Sequence, residues 1–242
     1  MKGLKVRVRT RTKVQDYRFI GQQPDIRWWE SDYGRWTDFS RPTVIVEPGR
    51  FFIAGIRSKR TDSKGAGIHY ALLGDIESSG GGARTKGSDI AARLSWWACN
   101  QFEIEATTNI TGIGEFLDEI SEENWAAAGR GEEAARKDVD RKLASLVSTI
   151  PAVKGDPSHK KWVGKPDQVG FQELARMAAK VVAGSGPKFG VAAYLNLASP
   201  GELKSLMDGH QHVVILCRGE QLSPKSDAPH SGGRSLPWPS LR

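Results

Sequence analysis

Between Leu4 and Val14 the chain reads L-K-V-R-V-R-T-R-T-K-V. This unbroken period of two places Leu4, Val6, Val8, Thr10, Thr12 and Val14 on one side and Lys5, Arg7, Arg9, Arg11 and Lys13 on the other. Only a β-strand turns that pattern into one apolar and one cationic face; a helix would scatter the same residues around its circumference. The apolar face must lie on a core, and neighbouring segments are patterned to supply one. Thr43–Glu47 and Arg50–Ile56 flank Pro48-Gly49 as the arms of a tight hairpin, and Gly67–Leu73 follows the polar turn 61–65 as a further strand. Residues 1–77 are therefore expected to form a basic, mostly antiparallel β module.

The glycine-rich run 78–88 is expected to be a loop or linker, and beyond it the period changes. Ile90, Leu94, Trp97 and Ala98 make one helical stripe behind a Ser88/Asp89 cap, and Phe102–Ala106 alternates like a short strand. Glu115–Ile120, running on toward Trp125, and Glu132–Ile150 are amphipathic, the second carrying Ala135, Val139, Leu143, Leu146, Val147 and Ile150 and stopped by Pro151. Residues 151–167, with three prolines, read as a polar loop. Phe171, Leu174, Ala175, Ala178, Val181 and Val182 form a helix ending at Gly184. Two apolar strands, Phe189–Leu197 and His212–Cys217, then flank a helix that opens on the capping box Ser199-Pro200-Gly201-Glu202, which makes a βαβ unit. The expected fold is α+β: the β module, then a helical and βαβ-containing α/β portion over 89–222, then a flexible Pro/Ser/Gly-rich tail over 223–242.

Charge is segregated along this order. Residues 1–88 carry 17 Lys/Arg against 9 Asp/Glu, residues 89–140 carry 4 against 12, and residues 141–242 carry 14 against 7, for a net +7. A basic N-terminal region and an acidic middle either contact each other or attract different partners. The two cysteines, Cys99 and Cys217, sit in apolar surroundings as reduced thiols do. Together with the lack of a signal-peptide core at the N-terminus and of a stretch of roughly 20 apolar residues, this makes a cytoplasmic protein without a membrane span the expectation.

The cationic row Lys5, Arg7, Arg9, Arg11 and Lys13 repeats about every 6.6–6.8 Å along a strand, close to the phosphate spacing of an extended single-stranded nucleic acid. Arg27, Trp28, Trp29, Arg35 and Trp36 add rings and guanidiniums suited to stacking bases. Arg84, Lys86 and Ser88 form a candidate anion loop ahead of a helix, without the order of a Walker A motif. Asn196, Ser199 and Arg218 mark the carboxyl ends of the βαβ strands, where open α/β sheets place ligands. His210 and His212 fall short of a zinc ligand set, so no metal and no cofactor is expected, and no catalytic signature is present. The expected function is that of a non-enzymatic adaptor or accessory subunit, working with other protein subunits and engaging nucleic acid or an acidic protein surface through the basic β face. A nucleic-acid-processing or defence complex would suit such a part. The alternatives are a small-molecule or nucleotide-binding protein, an enzyme included, that uses 78–88 and the strand ends near Asn196 and Arg218, and a purely structural protein–protein role.

Overall fold

The computed structural model of the chain describes residues 4–21, 23–24, 42–76, 81–103, 112–150, 152–158, 160–165, 167–184, 190–194, 208 and 212–216. The alternating N-terminal segment forms β1 (Leu4–Thr10), and two further residues pair with it as β2 (Arg18–Phe19). The strand stops four residues short of its pattern. The Thr12 hydroxyl accepts the backbone N–H groups of Val14 and Gln15, at 3.3 and 3.0 Å, and turns the chain back on itself. Val14, expected on the apolar face, is consequently 80% exposed.

Pro48-Gly49, with Gly49 at φ 80°, closes the hairpin between β3 (Thr43–Glu47) and β4 (Arg50–Thr61). β4 then pairs antiparallel with β5 (Gly67–Ile76), and β1 returns antiparallel on the far side of β5. This antiparallel group continues into a parallel one. β3 pairs with β7 (Gly190–Tyr194), which lies parallel to β8 (His212–Leu216), which in turn lies parallel to β6 (Lys161–Gly164). One eight-stranded sheet results, in the order β2-β1-β5-β4-β3-β7-β8-β6, and the fold is α+β as expected. Strands β7 and β8 of the expected βαβ unit are parallel neighbours. β6 was not anticipated: it lies inside the segment read as a polar loop.

The helices are α1 (Gly81–Glu103), α2 (Ile113–Asp118), α3 (Glu122–Arg130), α4 (Glu133–Thr149) and α5 (Gln168–Ala183). Val6, Val8, Val44, Val46, Phe51, Ile53, Tyr70 and Leu72 give the sheet one continuous apolar face, which joins Leu94, Trp97, Leu143, Phe171 and Val182 of the helices in the main core. On the opposite face Phe19, Ile45, Phe52, Ala54, Ala71 and Leu73 form a second, smaller cluster. Burial on both faces accounts for the unbroken apolar runs of β3, β4 and β5.

Three further expectations are corrected. The 78–88 run is not a loop throughout, because α1 begins at Gly81. Gly87 lies so close to β5 that a Cβ there would stand 2.4 Å from Ile76 Cδ1, so this glycine serves close packing of helix on strand. Phe102 and Glu103 end α1 and do not begin a strand. The segment 115–125 is not continuous helix: Ser121 restarts it, its hydroxyl accepting the Asn124 N–H at 3.2 Å as the N-cap of α3. The 223–242 tail lies outside the described residues. Among the described residues no helix is long and apolar enough to cross a membrane.

Candidate anion-binding surface

The odd-numbered residues of β1 project from the sheet face that carries the smaller cluster, and most of their charge is met within the fold. Arg7 pairs with Asp75, which also receives Arg50, and Arg50 in turn reaches Glu47 at 3.2 Å. The Arg7 side chain is only 11% exposed, so it contributes little to an outer cationic stripe. Lys5 is half-buried and has an interaction partner of its own. Beyond β1, Arg11 Nη1 lies 3.0 Å from Asp62 Oδ2, the carboxylate of the β4–β5 turn. That carboxylate also accepts the backbone N–H groups of Lys64 and Ala66, each at 2.8 Å. These backbone bonds, first among them that from Ala66, hold Asp62 below the ordinary carboxylate pKa, and Arg11 adds to the effect.

Three cations and an aromatic ring gather at the corner where β1 leaves the sheet. The Arg9 guanidinium lies 4.8 Å and that of Arg11 5.5 Å from the Tyr17 ring centroid, and Lys13 is exposed two residues beyond Arg11. Burial pulls the Arg9 pKa below its usual value, against the opposing pull of Tyr17 and Asp16. The Tyr17 hydroxyl accepts the His69 backbone N–H at 3.1 Å, which fixes the ring.

The anion loop does not have its expected form. Arg84, Lys86 and Ser88 all lie within α1, where the backbone N–H groups past the first turn are engaged along the helix, and Ser88 is buried. Arg27, Trp28, Trp29, Arg35 and Trp36 lie outside the described residues, as do Asn196, Ser199 and Arg218.

A site not anticipated from sequence adjoins the β1 corner. β2 and the α3–α4 turn enclose an open cavity of about 390 Å³ whose lining includes Asp16, Tyr17, Arg18, Arg130, Gly131 and Arg136. Arg18 Nη1 lies 3.4 Å from the Gly129 carbonyl oxygen, and Arg130 Nη2 lies 2.7 Å from Glu132 Oε1. Among the described residues neither Arg18 nor Arg136 has a carboxylate partner. Two glycines in the left-handed region shape the walls: Gly131 (φ 93°) ends α3, and Gly21 (φ 90°) lets the Arg136 guanidinium lie against the backbone, where a Cβ would stand 3.1 Å from Nη2. Two segments far apart in sequence, 16–23 and 128–136, build this cavity. The Gly129-Arg130-Gly131 run was the only local hint of it.

Behind the corner lies a buried polar network. Arg60 donates through Nε and Nη2 to Glu122 Oε2 at 3.0 and 2.7 Å, through Nη2 to the Arg11 carbonyl at 2.8 Å, and through Nη1 to the Tyr70 hydroxyl at 3.0 Å. The Tyr70 hydroxyl donates to Asp118 Oδ1 at 2.7 Å, beside the Ser58 hydroxyl and the Lys59 N–H. Arg60 also sits 5.7 Å from both the Tyr70 and the Trp125 ring centroids. The network joins the end of β4 to α2 and α3. No family model, curated protein or solved structure matches the chain.

Proposed function

We propose that this protein is a non-enzymatic accessory subunit that engages single-stranded nucleic acid at the corner formed by Arg9, Arg11, Lys13 and Tyr17. The observation that carries the reading is the stacking of two guanidiniums on one fixed aromatic ring, next to an exposed lysine. Flat cationic groups of this kind accept a base on their face and a phosphate on their edge, which is how sequence-tolerant single-strand binders gain affinity. The contact is narrower than the full alternating row, since Arg7 belongs to an internal ion pair with Asp75 and Arg11 is itself held at Asp62. A cytoplasmic setting accords with the buried free thiol of Cys99.

The test is fluorescence anisotropy with labelled single-stranded RNA, single-stranded DNA and duplex DNA over a salt series from about 50 to 200 mM. Single strands are expected to bind more tightly than duplex. Replacing Arg9, Arg11 and Lys13 together by Gln is expected to reduce the log–log salt slope by about 2, given roughly 0.7 per phosphate contact on a single strand. Thermal melting of the variant confirms that the Arg11–Asp62 contact is not needed for folding. A folded variant with an unchanged slope and affinity would overturn the reading.

A further inference from the structure

The cavity between β2 and the α3–α4 turn holds two cationic groups that, among the described residues, are in no ion pair. Arg130 is paired with Glu132, and the Asp16 Oδ1 atom accepts the Tyr17 backbone N–H at 2.7 Å. Among the described residues Arg18 and Arg136 have no carboxylate partner, and they come from different elements, one from the edge strand β2 and one from α4. A guanidinium presents a rigid fork of donors that matches a multiply charged oxyanion, and two forks from different directions fit a tetrahedral group better than a planar one. A carboxylate offers one charge and two oxygens. A phosphate monoester offers close to two charges and three terminal oxygens at neutral pH.

We propose that this cavity binds a phosphate monoester, held between Arg18 and Arg136, with Arg130 at the rim. Tyr17 borders both the cavity and the β1 corner, so the terminal phosphate of a bound strand enters here while the body of the strand follows Arg9, Arg11 and Lys13. In that form the inference rests on the nucleic-acid reading above. The same chemistry is also offered by a free mononucleotide, and the volume of about 390 Å³ exceeds what a phosphate alone fills.

The experiment compares one labelled single-stranded oligonucleotide bearing a phosphate at its 5′ end, at its 3′ end or at neither, with AMP and inorganic phosphate titrated separately by calorimetry. A terminal phosphate is expected to tighten binding about tenfold, a preference that disappears when Arg18 and Arg136 are both replaced by Gln. The same loss of charge at Lys137 and Arg141, exposed residues of α4 that do not line the cavity, is expected to preserve it. Equal binding of all three oligonucleotides, with AMP and phosphate silent, overturns the cavity site and leaves the strand reading standing. Binding of AMP that is lost in the Arg18/Arg136 variant, with no oligonucleotide bound, overturns the strand reading and assigns the site to a small nucleotide. Silence in every arm overturns both.

Discussion

Replacing Tyr70 by Phe removes one oxygen from the centre of the buried network and leaves the ring where it packs, 5.6 Å from Trp125. That oxygen donates to Asp118 at 2.7 Å and accepts from Arg60 at 3.0 Å, so two hydrogen bonds to charged partners are lost in a side chain with no exposure. Bonds of this kind contribute about 1.5–3 kcal/mol each. Asp118 keeps Ser58 and the Lys59 N–H, and Arg60 keeps Glu122 and the Arg11 carbonyl, so each loss falls at the low end. The expected cost is about 3 kcal/mol, or a fall in Tm of roughly 6–12 °C for a chain of this size. Urea unfolding followed by circular dichroism and tryptophan fluorescence measures it, with the m-value unchanged. A cycle with Asp118→Asn should return a coupling of about 1 kcal/mol. The alkaline limb gives a second readout: burial raises the phenol pKa well above its ordinary value, chiefly through desolvation. A raised folded-state pKa gives stability that is complete below the unfolded value of about 10 and is lost as pH rises beyond it. Wild type should therefore lose stability above about pH 10 by a component that Tyr70→Phe lacks. A cost under about 0.5 kcal/mol, or strict additivity with Asp118→Asn, would show that the network does not act as a unit.

Gly114→Ala should be among the most damaging small substitutions, because a Cβ there would stand 1.6 Å from the Arg57 carbonyl oxygen on β4. A loss of about 3 kcal/mol or more is expected in urea melts, and a loss under about 1 would mean that α2 shifts off β4 freely. Gly49→Ala is the contrasting case, with nothing within 4 Å of the new Cβ and only its φ of 80° to oppose it; about 1–2 kcal/mol is expected. Asp62, held below the ordinary carboxylate pKa by backbone N–H groups and Arg11, contributes stability above about pH 4 that is lost as pH falls through its lowered value. Asp62→Ala should thus be less stable than wild type at pH 7, with the gap narrowing in acid; a gap that stays constant down to about pH 2 would refute the assignment.

The elements legible in the sequence are those whose pattern is set locally. Pro48-Gly49 fixes the β3–β4 hairpin wherever it lies, and the stripes Ala135–Val139–Leu143–Leu146 and Phe171–Leu174–Ala178–Val181 each end up buried along one helix. Elements set by tertiary contact were hidden. Gly81, Gly82 and Gly87 oppose helix formation by about 1 kcal/mol each, yet α1 runs through them because Gly87 lets it settle on Ile76. β6 is four residues long between polar stretches, and its identity comes from pairing with β8. The cations of β1 were visible, whereas Asp75 and Asp62, which neutralise Arg7 and Arg11, are brought to them by strand register and by the β4–β5 turn. Arg18, Arg130 and Arg136 meet only through folding.

The same logic explains the segregated charge. The acidic middle of the chain docks on the basic β module: Glu122 receives Arg60 and the Lys13 N–H, Asp118 receives Ser58 and the Lys59 N–H, and Glu115 pairs with Lys59. Arg60, 12% exposed, lies against two aromatic rings, so its charge requires Glu122. Among the described residues two cationic side chains, Lys59 and Arg60, are engaged by carboxylates in holding α2 and α3 to β4. At the rim of that contact lie Arg9 and Lys13 on one side and Arg18 and Arg136 on the other, and Tyr17 borders both groups. Net charge alone therefore does not locate a polyanion site; the placement of Arg18 and Arg136 beside one cavity is the more specific observation.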